Sequence, residues 1–166
     1  MNKPSNVEAS KSTIDAAVAF ADFVRDFELD CVPGVVTKRA KLSILDTLGI
    51  GLASCNYDFA KTTMAALSEL GGVGKFPVIG SDLRLPQRDA AHLNGTLIHG
   101  LDFDDTHSEA VMHTSASTVP TMLIAGLANG SSGRAALSAF IIGSECASRI
   151  GAAARGGFHE KGFHPT

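Results

Sequence analysis

Apolar positions recur at helical spacing along most of this chain, and almost nowhere do they alternate with period two. Ile14, Ala17, Val18, Ala21 and Val24 mark a first predicted helix, widened by Phe20, Phe23 and Phe27. Ser12 or Thr13 can cap it, with Asp15 in its first turn. Residues 1–11 before it are polar and expected to be disordered. The pattern breaks at Cys31-Val32-Pro33-Gly34. A second helix is predicted from a cap at Thr37, with Lys41, Ile44, Leu45, Leu48 and Leu52 along a mostly apolar stripe. A third covers Phe59–Leu70 and stops in the glycine cluster at 71–74. Lys75–Gly80 reads as a short extended segment, and Pro77 inside it suits an edge or a loop. Helical periodicity returns from Leu85, and Ser117–Ala128 reads as a helix buried on most sides. Ser131 or Ser132 caps a last long helix, Gly133 to about Ala154, whose Leu137, Phe140, Ile141 and Ile150 point to a core. A loop is expected from Arg155 onward. The expected fold is all-α, a bundle of helices over residues 12–166.

Composition narrows the class of molecule. The 166 residues, 45% hydrophobic and 19% charged, suit one globular domain that buries roughly 70% of its unfolded surface. Net charge is −3, and Lys38, Arg39 and Lys41 form the one tight basic group, without interleaved aromatics. That is a solvated helix face, and no nucleic-acid partner is expected. No apolar run approaches the roughly 18 residues of a membrane span, and the N-terminus lacks a secretory pattern. A cytoplasmic protein without a membrane partner is the expectation. Cys31, Cys55 and Cys146 are odd in number and lack a CxxC, which argues against disulfide scaffolding and zinc. GIGLAS at Gly49–Ser54 matches a dinucleotide-binding spacing, but that motif needs a preceding strand. Here the preceding residues have helical period, so the glycines read as close helix packing.

Titratable groups are densest between Asn94 and His113. Asp102, Asp104, Asp105, His107, Glu109 and His113 fall within twelve residues, flanked by Leu97, Ile98 and Leu101. Such charge beside apolar surface is costly unless each group is paired, hydrated or used. The stretch therefore reads as the edge of a polar pocket in a helical core. Asp104 and Asp105 suit helix capping or loop holding. His92 and His99 read as satisfied core or interface histidines, and His107 is open between a site and a structural role. The DxDDxH spacing could also ligate a divalent cation, with Glu109 and His113 adding ligands, and chelator sensitivity would reveal it.

Several segments together carry a resemblance. LDTLGIGLAS at 45–54, LNGTLIHGLDFDDTH at 93–107, ASTVPTMLIAGLA at 116–128, SGRAALSAFIIGSECASRIG at 132–151 and GFHPT at 162–166 resemble, in order, the MmgE/PrpD family. That family includes 2-methylcitrate dehydratase, cis-aconitate decarboxylase and an iminodisuccinate epimerase. The resemblance implies the N-terminal part of a large helical domain, without the family's lid domain, and a homodimer that needs no cofactor. It implies a lyase of propionate metabolism that dehydrates 2-methylcitrate or a related carboxylate, with decarboxylation or epimerisation as alternatives. Asp102, His113 and His164 correspond to catalytic residues, with no metal ligand among them. Thr106 and His107 become substrate-binding candidates, while His159 lies in a partial echo, GFHEK. His113 is followed by Thr114 where the family commonly has proline. The lysines and tyrosine that complete the family's site fall beyond residue 166, so the chain alone is expected to be inactive. Chemistry agrees with the histidines: removing a proton alpha to a carboxylate needs a base titrating near neutrality. The rival of another class is a non-catalytic helical dimerisation piece, and restoring downstream sequence would separate the two.

Overall fold

The computed structural model describes residues 6–165, with side chains from residue 15 onward. Of residues 1–11, expected to be disordered, 1–5 lie outside what is described and 6–11 belong to the first helix, which runs through Ser12 and Thr13 without starting at a cap there. Seven helices are present among the described residues: α1 (Asn6–Asp26), α2 (Gly34–Ser54), α3 (Asp58–Gly71), α4 (Gln87–His99), α5 (Ser115–Asn129), α6 (Gly133–Ala154) and α7 (Gly157–Glu160). Two two-residue strands, β1 (Phe76–Pro77) and β2 (Arg84–Leu85), pair antiparallel with Phe76 opposite Leu85. Proline has no N–H to donate, which is tolerable in so short an edge. The fold is all-α.

Helix α4 is the centre of the packing. Ala90, Leu93, Asn94, Leu97 and Ile98 recur at three- and four-residue spacing, and all are buried. Leu93 and Leu97 join Ala60, Phe76, Val78, Leu85 and Ile124 in one apolar cluster. Ile98 belongs to a second, with Ala40, Ala116, Val119, Met122 and Phe140. Each large side chain so buried contributes about 1.5–3 kcal/mol, so the last turn of α4 is held firmly from two sides. Asn94 anchors the strands: its Oδ1 accepts from the Ile79 N–H at 2.8 Å and its Nδ2 donates to the Pro77 carbonyl at 3.1 Å. The fingerprint-like glycines lie inside α2, preceded by helix. A Cβ at Gly51 would stand 3.3 Å from Ile79 and 3.5 Å from Ile98, so this glycine serves close packing.

Several local expectations need correction. Helix α2 starts at Gly34, and the Thr37 hydroxyl donates back to the Gly34 carbonyl in place of capping. Ser132 does cap α6, accepting from the Ala135 N–H. Ile150, expected in the core, is half exposed because the core-facing stripe of α6 there runs through Gly151. Leu45 and Leu52 are exposed on α2, as are Ala17, Val18, Ala21 and Val24 on α1. The expected C-terminal loop contains one helical turn, α7.

Candidate active site

The end of α4 and the start of α5 are both fixed by the core, and residues 100–114 bridge them. Hydrogen bonds at three residues shape that bridge. The Asp102 N–H donates to the His99 carbonyl at 2.8 Å, with Asp102 in the left-handed region at φ 57°, a conformation aspartate tolerates better than most residues. The Asp105 carboxylate accepts from the Ser115 N–H at 3.0 Å and the Thr114 hydroxyl at 3.2 Å, capping α5. His107 donates its N–H to the Met112 carbonyl at 2.9 Å, and its Nδ1 accepts from the Ala110 N–H at 3.1 Å. This small loop docks on α6 at Gly151, where a Cβ would come within 2.6 Å of the Ala110 methyl and 2.7 Å of the Met112 sulfur.

The outcome is a cluster of three imidazoles and two carboxylates. Ring centroids stand 5.0 Å apart for His99 and His113, 5.2 Å for His99 and His164, and 5.3 Å for His113 and His164, the last pair nearly parallel. The Asp104 side chain is fully buried, with Oδ1 3.1 Å from His99 Nδ1 and 3.6 Å from His113 Nδ1. Asp102, largely exposed, places Oδ1 3.5 Å from His113 Nε2. Thr106 Oγ1 lies 3.5 Å from His113 Nδ1, and the Asp104 carbonyl lies 3.3 Å from the same nitrogen. A carbonyl only accepts, so the network assigns the proton of a neutral His113 to Nδ1 and leaves Nε2 toward Asp102. The C-terminal segment brings in His164, and the His113 N–H donates to the Pro165 carbonyl at 3.1 Å.

Of the residues expected from sequence, Asp102, Thr106, His113 and His164 are brought together. His107 does not join the imidazoles; it spends Nδ1 on the loop and lines a neighbouring cavity of about 540 Å³ with Arg39, Ser43, Thr106 and Ser144. Glu109 and His159 are exposed. So is His92, against the expectation of a core or interface histidine, because it sits on the outer face of α4. Two members were assigned elsewhere by sequence reasoning: His99 to the core and Asp104 to capping. The available signal was a histidine closing a helix immediately ahead of the acidic run.

A buried carboxylate that orients imidazoles, with a half-open rim of imidazole and carboxylate, can pass protons to and from a bound carbon acid. Comparison with known proteins shows which family the chain resembles. A family model described as the MmgE/PrpD N-terminal domain matches residues 18–166. The cis-aconitate decarboxylase-like protein oryM of Aspergillus oryzae is 28% identical over 86% of this chain and 31% of its own length. Cis-aconitate decarboxylase of Aspergillus terreus is 27% identical over 94% of this chain and 32% of its own. The Homo sapiens cis-aconitate decarboxylase is 32% identical over 80% of this chain and 28% of its own. The chain thus spans about a third of the length of these relatives, and over nearly all its own length it belongs to the MmgE/PrpD family.

Proposed function

We propose that this chain carries the acid–base part of a lyase site acting on a di- or tricarboxylate. The observation that carries the reading is the grouping of His99, His113 and His164 around Asp104, with Asp102 at the rim. Decarboxylation of cis-aconitate is the first reaction to test, because the relatives reported above bear that name. In it the bond to one carboxylate breaks, CO2 leaves with the carbonyl carbon, and the electron pair left on the substrate takes up a proton. His113 or His164 would supply that proton as imidazolium, and Asp102 would stabilise the cationic ring beforehand. Asp104 acts as a positioning residue, setting the rotation of His99 and His113. Dehydration of 2-methylcitrate uses the same groups in the opposite sense: imidazole removes a proton beside a carboxylate while hydroxide leaves the next carbon. The colinear motifs, which resemble dehydratases as well, support this second reading.

Cations to hold the substrate carboxylates are needed in either case, and the described cluster contains none beyond its histidines. The 166-residue chain is therefore expected to turn over neither compound, whereas a chain extended to the length of its relatives is expected to turn over one. CO2 release from cis-aconitate and alkene absorbance from 2-methylcitrate are the readouts. In the extended protein His113→Ala and His164→Ala should each lower kcat by about 100-fold or more. Turnover that survives both substitutions would overturn the assignment.

A further inference from the structure

We propose that His99, Asp102, Asp104 and His113 capture a divalent transition-metal cation, with Zn2+ the best fit, and that a captured cation stops proton transfer at this site. One donor atom from each of the four lies within 4.8 Å of the other three. Around zinc, with bonds of about 2.0–2.2 Å, tetrahedral neighbours stand roughly 3.4 Å apart. His99 Nδ1 to Asp104 Oδ1 at 3.1 Å and His113 Nε2 to Asp102 Oδ1 at 3.5 Å already have that spacing. A second observation is independent of the clustering. Asp104 Oδ2 is buried without a hydrogen-bond partner, on a side chain with no solvent exposure. A buried carboxylate oxygen left in that state is costly, and a cation bound by the same carboxylate supplies what it lacks. Two imidazoles with two carboxylates form a borderline donor set, suited to Zn2+, Co2+ or Ni2+; Ca2+ and Mg2+ favour all-oxygen shells.

The inhibitory half of the proposal rests on the acid–base reading above; the binding half does not. A cation takes the lone pair that His113 needs to accept or return a proton, so occupancy and turnover exclude one another. The experiment is calorimetric titration of Zn2+ into the chelator-treated 166-residue chain, beside His99→Ala, Asp104→Asn and the control His92→Ala. One saturable site is expected, weakened at least about tenfold by either cluster substitution and unchanged in the control. Circular dichroism establishes that each variant is folded. Should Asp104→Asn unfold, His99→Ala and His99→Gln decide, since that ring is partly solvent-exposed. Absence of saturable binding, or equal affinity in the folded cluster variants, overturns the site. In an extended, active protein Zn2+ should inhibit and EDTA should restore the rate. Turnover unaffected by stoichiometric Zn2+ overturns the inhibitory half alone. Zinc binding in a protein that turns over no carboxylate leaves the cation site standing and refutes the lyase reading.

Discussion

Asn94 is buried and ties α4 to the extended segment through Ile79 and Pro77. Replacing it by leucine strands one N–H and one carbonyl at once. Asn94→Leu should cost about 2–4 kcal/mol, read from the urea midpoint at constant slope. Cys55 allows a prediction of pH dependence. Its thiol donates toward the Gly51 and Ile79 carbonyls, and burial pushes its pKa up. The folded chain then holds this proton more tightly than the unfolded chain does. The resulting stabilisation is fully present below the unfolded thiol value of about 8.5 and is lost as pH rises from there through the raised value of the folded chain. Thermal melts of wild type and Cys55→Ala should therefore converge between pH 7.5 and pH 9.5; a constant gap would refute this. At this scale local spacing made the dense run from Asp102 to His113 legible, while the family resemblance picked out Asp102, Thr106, His113 and His164. Neither marked His99 and Asp104 as partners, because their meeting depends on a left-handed turn at Asp102 that the composition of the run does not reveal.

Periodicity in an element tells which positions share a face, and nothing of what that face meets. Helix α4 shows the informative case, since its apolar positions and its burial coincide. Helices α1 and α2 show the other, with Val18, Val24, Leu45 and Leu52 in register with an apolar stripe and still exposed. Glycines separate in the same way. Gly49 and Gly151 both lie inside helices, where alanine is ordinarily worth about 0.5–1 kcal/mol more than glycine. Nothing stands within 4 Å of a Cβ at Gly49, so Gly49→Ala should stabilise by about that amount. At Gly151 the added carbon meets the Ala110 methyl and the Met112 sulfur. Gly151→Ala should destabilise by about 1–3 kcal/mol, reversing the sign of the same substitution. Paired melting curves check both; stabilisation by Gly151→Ala would mean that the 107–112 loop does not dock on α6.

The whole molecule is a helical assembly built around one central helix, and that much followed from the dominance of one periodicity over the other. What stands on its outside was harder to foresee. Val35, Leu45, Leu52, Leu70, Val73 and Phe103 are all more than half exposed, and exposed apolar side chains favour association with other chains. No described helix is long and apolar enough to cross a membrane. The 166-residue chain is accordingly expected to self-associate at micromolar concentration, with a sedimentation profile that shifts with dilution; a strictly monomeric profile would refute this. The hydrogen bond from the His113 N–H to the Pro165 carbonyl has a consequence for kinetics as well as geometry. It joins residues 52 positions apart through a short arm, residues 161–165, so the third imidazole is at the site only while that arm is docked. Undocking costs only the contacts of the arm, far less than unfolding the core, and exposes the amide to solvent each time it occurs. The rate at which the single amide of His113 exchanges its hydrogen for deuterium is thus a clock for site assembly. It can be read without substrate, cation or turnover.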